Sequence, residues 1–316
     1  MNKIKLGSKT VSSNSLPYLI AEIGVNHECS ISKAKKLILL AKKGGADAAK
    51  FQTYKAELIT SKYAPSYWDT KKEKTKNQLQ LFKKYDLFGE EEYKVLFNYC
   101  QQVGIEFLST PFDHKAVDML DKYVNFFKIS SSDITNFPLL KKIALKKKPI
   151  LLSTGASTLN EIKRAYNFLK KNKCNKIVIM HCILNYPTKD ENANLNMITS
   201  LLTEFPKNII GYSDHTIPNK EMNIITSSYL LGARVIEKHF TLNKKIKGND
   251  HYHSMDFKDL KNLSERIKKL KKITGINKKN YLNTEILSRK NARRSIVVKN
   301  FIKKNSIISS KNLICK

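Results

Sequence analysis

Arginine is scarce in a chain with a formal net charge of +31: only six of its 58 basic residues are arginine, and the rest are lysine. Arginine is the side chain suited to bidentate recognition of phosphate and base edges. The lysines fall on the polar faces of helix-like segments, in a sequence also rich in asparagine and isoleucine. No nucleic-acid motif accompanies them, so the excess reads as a solvated surface, though one that still attracts anions. Cysteine is sparse too. Cys29, Cys100, Cys174, Cys182 and Cys315 have no paired spacing, which argues against a disulfide framework and suits reduced thiols in the cytoplasm. No apolar run reaches the ~18 residues of a membrane span, and none follows Met1-Asn2-Lys3-Ile4-Lys5 as in a signal peptide. Walker A and GxGxxG patterns are missing, as are repeats of solenoid length.

The sequence does contain an alternation. In 316 residues, 41% of them apolar, eight β-prone runs each stop at a small polar cluster. The predicted strands are 18–23, 46–52, 105–109, 126–129, 150–153, 176–180, 209–212 and 234–237. Several are almost unbroken apolar runs, as expected of parallel strands buried on both faces. Amphipathic helices are predicted between and after them, over 32–43, 90–102, 115–122, 137–146, 158–171, 198–204, 219–231 and 256–272. Ser32 is the expected N-cap of the first, Gly44-Gly45 its stop, and Thr158 with Glu161 a capping box. Strands alternating with helices, with chemistry only at the strand ends, predict an α/β fold, a (β/α)8 TIM barrel with its site on one rim. A polar and aromatic insertion over 54–88, with Tyr63, Tyr67 and Trp68, is expected to form a lid or wall of that site. The pattern changes after Thr274-Gly275. Residues 1–277 are taken as the barrel, 278–290 as a linker and 291–316 as a second unit too short to bury a core.

The rim carries three chemical sets. His215 and His239 follow neighbouring strands, and two imidazoles with open positions suit a divalent transition metal acting as a Lewis acid. Lys50 and Lys128 lie inside strands, where a buried ammonium needs an anion. Thr110, Ser131, Ser153 and Ser213 place hydroxyls on the same rim, and Thr154-Gly155 ahead of a helix offers an anion site. Together these suit a ligand with both a phosphate and a carboxylate. Glu22, Asp133, Glu237 and Asp250 are carboxylates of which one can move a proton. His181, Asn185 and Tyr186 offer hydrogen bonds to a polyhydroxylated ligand. A lysine on a barrel strand also fits an aldolase nucleophile, with Lys128 as the residue.

In order along the chain, these strand ends resemble the sialic acid synthase (NeuB) family. The stretches that carry the likeness include Ala21-Glu22-Ile23-Gly24-Val25-Asn26-His27, Lys50-Phe51-Gln52, Ser109-Thr110-Pro111-Phe112-Asp113, Leu152-Ser153-Thr154-Gly155, Gly211-Tyr212-Ser213-Asp214-His215-Thr216 and Glu237-Lys238-His239-Phe240. Asn291-Ala292-Arg293-Arg294-Ser295-Ile296 resembles the opening of the family's C-terminal antifreeze-like (SAF) domain, so 291–316 is expected to be the start of a truncated copy. The resemblance implies condensation of phosphoenolpyruvate with an N-acetylated hexosamine, N-acetylmannosamine or a relative, to a nine-carbon 2-keto-3-deoxy sugar acid and phosphate.

It further implies Mn²⁺ or Mg²⁺ on His215 and His239. Lys50, Thr110, Lys128, Ser131, Ser153 and Ser213 would hold phosphoenolpyruvate, and Gln52, Tyr186 and Asp250 the sugar. Glu22 would handle water or a proton, with Asp133 near the reacting centre. The family also implies a homodimer with no nucleic-acid or membrane partner. Relatives carry Gly-Ser-Gly-Glu where this chain has Ser130-Ser131-Ser132-Asp133, and an asparagine where it has Leu184. Both departures fall where the sugar binds, which leaves neuraminate, legionaminate and pseudaminate open as products. The alternatives to a synthase are a Lys-dependent barrel aldolase and a basic binding protein that has lost catalysis.

Overall fold

The computed structural model describes residues 2–68, 70, 73–248, 250–276 and 278–316, in two compact units, Met1–Lys271 and Lys272–Lys316. The chain opens on a hairpin that the apolar pattern did not announce. Strands β1 (Lys3–Leu6) and β2 (Lys9–Ser12) pair antiparallel around Gly7. At φ +58° Gly7 is left-handed, a conformation that glycine adopts without the strain an L side chain would carry. Each strand is too short for alternation to register: Ile4, Leu6 and Val11 are its buried residues. The hairpin lies at the N-terminal ends of the barrel strands. There Lys9 Nζ is 2.9 Å from Asp47 Oδ1, and Arg234 Nε donates to Ser13 O at 2.8 Å.

Eight parallel strands follow: β3 (Tyr18–Gly24), β4 (Ala48–Thr53), β5 (Glu106–Pro111), β6 (Phe127–Ile129), β7 (Ile150–Ser153), β8 (Ile177–Cys182), β9 (Ile209–Asp214) and β10 (Val235–His239). Every end lies within two residues of its expected place. Hydrogen-bonded neighbours run β5-β4-β3-β10-β9-β8-β7-β6, and β5 lies beside β6 to complete the ring. The fold is a (β/α)8 TIM barrel.

Helix α1 (Ile31–Gly44) is capped by Ser30, not by Ser32 as expected. Ser30 is extended, at φ −111°, and its Oγ accepts from Lys33 N, so the helix begins earlier than the apolar period suggested. Gly45, left-handed at φ +96°, ends it as expected. Two short helices, α2 (Ala56–Ile59) and α3 (Gln78–Lys83), lie in the insertion after β4. The remaining barrel helices are α4 (Glu90–Val103), α5 (His114–Leu120), α6 (Phe137–Leu145), α7 (Leu159–Lys171), α8 (Asn196–Glu204), α9 (Asn223–Leu230) and α10 (Phe257–Thr274). The Thr158–Glu161 capping box of α7 is present.

The insertion is anchored at both ends: Tyr54 packs edge-on against Phe82 and Phe112, and Ala56 N donates to Asp86 Oδ2 at 2.9 Å. Tyr63 and Tyr67 are exposed on it. In the second unit, α11 (Ile286–Asn291) falls within the stretch expected to be a linker, and Arg289 lies over the Tyr281 ring. Strands β11 (Ile296–Val298) and β12 (Leu313–Cys315) pair antiparallel there. Among the described residues no helix is long and apolar enough to cross a membrane.

Period-two alternation sorts the strand ends. On β10, Glu237 and His239 face the barrel interior while Lys238 turns to the other side. On β9, Ser213 faces in and Asp214 out. Lys238 Nζ and Asp214 Oδ2 form a buried ion pair at 2.7 Å. Asp214 also accepts from Tyr212 OH at 2.8 Å, Thr216 N at 3.1 Å and Thr216 Oγ1 at 3.0 Å. This network fixes the two strand ends that bear the rim histidines.

One buried histidine makes stability depend on pH. His27 follows β3 and stacks on Phe88 at 4.5 Å, and its Nδ1 accepts from Cys29 N. Burial lowers its pKa from 6.5 to about 4. A base whose folded pKa is depressed favours the unfolded chain once it protonates. Its contribution is therefore complete above pH 6.5 and lost as pH falls toward 4, roughly 3 kcal/mol over that window. Urea melts of wild type and His27→Gln at pH 7 and pH 4.5 should differ in their pH dependence by that order. Identical pH dependence would contradict the assignment.

Candidate active site

The C-terminal mouth of the barrel holds an open cavity, whose empty space of about 370 Å³ includes the solvent at its mouth. Its floor is a charge cluster. Lys50 Nζ is 2.7 Å from Glu22 Oε2 and 3.6 Å from Glu237 Oε2, and it donates to Thr110 Oγ1 at 2.9 Å. Lys128 Nζ is 3.5 Å from Glu237 Oε1, which also accepts from Ser213 Oγ at 3.1 Å. Gln52 Nε2 donates to Glu22 Oε1 at 2.9 Å. Register explains the meeting, because Glu22 lies across from Lys50 on one side and from His239 on the other, and Glu237 lies across from Ser213.

These environments push the two carboxylates apart. Burial raises Glu22 above the usual carboxylate range, and Lys50 only partly opposes it. Burial also works against the Glu237 charge, but Lys128 and Lys50 outweigh it and hold that carboxyl low. Burial lowers Lys128, with Glu237 opposing. For Lys50 burial is overcome by Glu22 and Glu237, and its pKa is raised. Glu22 is thus the carboxyl that takes up a proton more readily, and Glu237 the one that stays ionised.

Hydroxyls line one wall. Ser131 Oγ accepts from Gly155 N at 2.8 Å, and buried Ser153 Oγ has no hydrogen-bond partner among the described residues. Imidazoles form the upper rim. The His215 and His239 rings are 5.5 Å apart, with Tyr186 4.2 Å from His215. His215 Nδ1 donates to Ile183 O at 2.7 Å, which leaves Nε2 as the lone-pair nitrogen. A backbone carbonyl orienting the ring in this way is the usual outer support of a metal-ligating histidine. Burial opposes charge on His215, yet the Cys182 thiol beside it raises the imidazole, and His215 in turn lowers Cys182 against burial. Burial, with His253 and His215 nearby, drives His239 well below the ordinary imidazole value. Among the described residues His239 Nδ1 has no hydrogen bond, and it lies buried 3.4 Å from Asp250 Oδ2. A neutral imidazole with a free lone pair facing a carboxylate fits a divalent cation.

Of the residues expected in the site, Glu22, Lys50, Gln52, Thr110, Lys128, Ser131, Ser153, Tyr186, Ser213, His215, Glu237 and His239 line this one cavity. Asp250 joins it at His239. Asp133 and Asn185 do not line it. Asp133 sits in a 3-10 turn after β6, bonded to Asn136 Nδ2 at 3.1 Å, and burial raises its carboxyl to about 6. Asn185 is exposed, and its carbonyl accepts from Thr188 Oγ1. His181, weighed as a ligand contact, turns the other way: it bonds Ala193 O at 2.8 Å and stacks on Tyr212. Its neighbour Cys182 takes the inward place, so the parity of β8 was misjudged by one residue. Cys182, Phe112 and Ser130 line the cavity without having been singled out. Strand parity would have found Cys182. Nothing in the local pattern marks the other two.

A barrel whose inward strand ends gather lysines, carboxylates and imidazoles in one mouth has the layout of an enzyme active site. The chain belongs to the NeuB family, matching it over residues 37–279. It is 41% identical to the N,N′-diacetyllegionaminic acid synthase of Campylobacter jejuni over 94% of this chain and 89% of that protein. To the enzyme of the same name from Legionella pneumophila it is 36% identical, over 98% and 87%. A crystal structure of N-acetylneuraminic acid synthetase from Leptospira borgpetersenii in complex with citrate superposes with a TM-score of 0.82 at 31% identity, covering 92% of this chain and 95% of that one.

Proposed function

We propose that the protein condenses phosphoenolpyruvate with an N-acetylated hexosamine. Phosphoenolpyruvate, the aldose and one water yield a nine-carbon 2-keto-3-deoxy sugar acid and inorganic phosphate. The observation that carries this reading is a single cavity holding two buried ammoniums and four buried hydroxyls below a pair of imidazoles. Such a floor complements a small acid bearing both phosphate and carboxylate, with the imidazoles facing the sugar.

In this reading Lys50 and Lys128 receive the anionic groups. Ser153 Oγ, unpartnered and buried, adds a donor that a phosphate or carboxylate oxygen would satisfy. Thr110, Ser131 and Ser213 complete the grip. Glu22, whose pKa burial raises, exchanges the proton of the added water. Gln52, bonded to Glu22, couples that carboxyl to the sugar, and Tyr186 and Asp250 wall the sugar subsite. His215 and His239 would hold a divalent cation, Mn²⁺ or Mg²⁺, whose chemistry is polarisation of the open-chain sugar's carbonyl oxygen. The names of the two relatives above support, as co-substrate, the six-carbon diacetamido aldose left when the three pyruvate carbons are removed from N,N′-diacetyllegionaminic acid. The same reading takes Asn291–Lys316 as an SAF-like unit and the working form as a homodimer.

Phosphate release from phosphoenolpyruvate tests this with the full chain and Mn²⁺. Release is expected only with an added N-acetylated sugar, fastest with the diacetamido aldose. No release with that sugar, with N-acetylmannosamine or with the pseudaminate precursor would overturn the reading. Borohydride trapping of pyruvate on Lys128 would replace it with a Lys-dependent aldolase.

A further inference from the structure

The polar and aromatic insertion after β4 takes no part in the chemistry described above, yet it folds back toward the mouth. We infer that Tyr67, carried by this insertion, is a specificity-determining residue of the sugar subsite. Its phenol hydroxyl donates to the second acetamido carbonyl, which a diacetamido aldose has and N-acetylmannosamine lacks. This rests on the condensation proposed above. The insertion turns back on itself where Pro65 and Asn77 form an antiparallel bridge, with Gln78 N donating to Ala64 O at 3.1 Å and Gln78 Nε2 to Pro65 O at 2.9 Å. Inside the loop so closed, Tyr67 and Trp68 meet edge to face, their ring centroids 5.3 Å apart at 77°. Trp68 Nε1 donates to Glu73 O at 3.1 Å, which fixes the aromatic pair to the returning chain.

Glu73 is the clasp. In a mostly exposed segment its carboxylate is buried: both oxygens lie 3.0 Å from Lys84 Nζ, and Oε1 accepts from Thr75 N at 3.1 Å. A Cβ at Gly248 would lie 3.5 Å from Glu73 Oε2, so this carboxylate also packs against the chain just before Asp250. The insertion therefore meets the loop after β10, which carries one wall of the sugar subsite. Tyr67 is 64% exposed, but its hydroxyl is the sheltered end: burial and the nearby Asp250 push the phenol up to about 12. Tyr67 in turn helps burial and Cys182 raise the Tyr186 hydroxyl, so it stands close to both side chains of that wall. A phenol that keeps its proton at neutral pH is a donor. The aldehyde carbon must meet phosphoenolpyruvate above the lysine floor, so the rest of the sugar points outward, toward the insertion. An amide oxygen is a better acceptor there than a sugar hydroxyl, and its methyl group packs on the rings of Tyr67 and Trp68.

Steady-state kinetics of the full chain with both aldoses test this. Tyr67→Phe keeps the ring pair and removes only the hydroxyl. It should lower kcat/KM for the diacetamido aldose on the order of 10-fold, the worth of one hydrogen bond, mostly through KM. For N-acetylmannosamine the loss should be much smaller, so the preference between the two sugars falls by nearly the same factor. Glu73 is a positioning residue. Glu73→Gln should raise KM for the diacetamido aldose several-fold, with kcat and the KM for phosphoenolpyruvate little changed. Tyr67→Phe should then cost less in the Glu73→Gln background than alone, since both act through one contact. Circular dichroism melts show whether each variant is folded, and Tyr67→Phe by itself decides the case. A Tyr67→Phe protein that keeps the wild-type preference, or loses both sugars equally, would overturn the inference and leave the condensation in place. So would a wild type that turns over N-acetylmannosamine as well as the diacetamido aldose. Wild type that releases no phosphate with any N-acetylated sugar would overturn both.

Discussion

His239→Ala is expected to lower metal-dependent turnover by ~10³-fold or more, the order set by several kcal/mol of charge stabilisation at a polarised oxygen. His239 is one of the two imidazoles that line the cavity. Its ring lies 5.5 Å from His215 and 4.9 Å from His253, and its Nδ1 faces Asp250. In the proposed function it is one of the two residues that hold the cation, so its removal takes away half of that set. Stability should change little, because a buried imidazole that forms no hydrogen bond through Nδ1 loses mainly packing, and the strand stays paired with β3 and β9. Steady-state phosphate release and a urea melt on the same preparation separate the two effects. A variant with near wild-type kcat would show that His239 takes no part in the chemistry. One that no longer folds would make it a core residue.

The largest effect on stability is expected one residue earlier. Lys238→Met leaves Asp214 buried without its ammonium, and breaking a buried pair of this kind costs ~3–5 kcal/mol. Burial opposes charge on both partners: it is the leading influence lowering Lys238, whereas on Asp214 Lys238 prevails and keeps the carboxyl ionised. The partner change Asp214→Asn removes the stranded charge and keeps an acceptor for Tyr212 OH and Thr216 N. The double variant Lys238→Met with Asp214→Asn should therefore recover most of the loss. Chemical denaturation of the two single variants and the double completes the cycle. If Lys238→Met alone costs less than ~1 kcal/mol, the pair does not carry the strand ends as described.

The barrel was legible because a parallel strand buried on both faces must be apolar almost throughout. Tyr18–Gly24, Ile150–Ser153 and Ile177–Cys182 are written as such runs, and each stops where its polar cluster begins. The site was legible for the same reason, since a polar residue ending a buried run faces either the mouth or the helices. Choosing between those two faces is where the reading failed. His181 and Cys182 are adjacent and both plausible, and only the pleat of β8 decides that the thiol is inside. The β1–β2 hairpin was missed because two four-residue strands hold too few buried positions to show a period. Ser30 displaced Ser32 as a cap because two serines two residues apart are equivalent until the backbone is known.

By itself the amino-acid order determined eight strand–helix units and the chemical inventory of one rim, because burial on both faces and helical amphipathicity are written locally, residue by residue. Which members of that inventory meet was decided only by the closed barrel. Register across β3, β4 and β10 brings Glu22 against Lys50 and His239, and parity sends Lys238 to Asp214 and away from the cavity. The return of the chain onto β10 at Phe240 and Met255 carries His253 to His239 from fourteen positions away, a contact set by backbone pairing between strands and not by any local period.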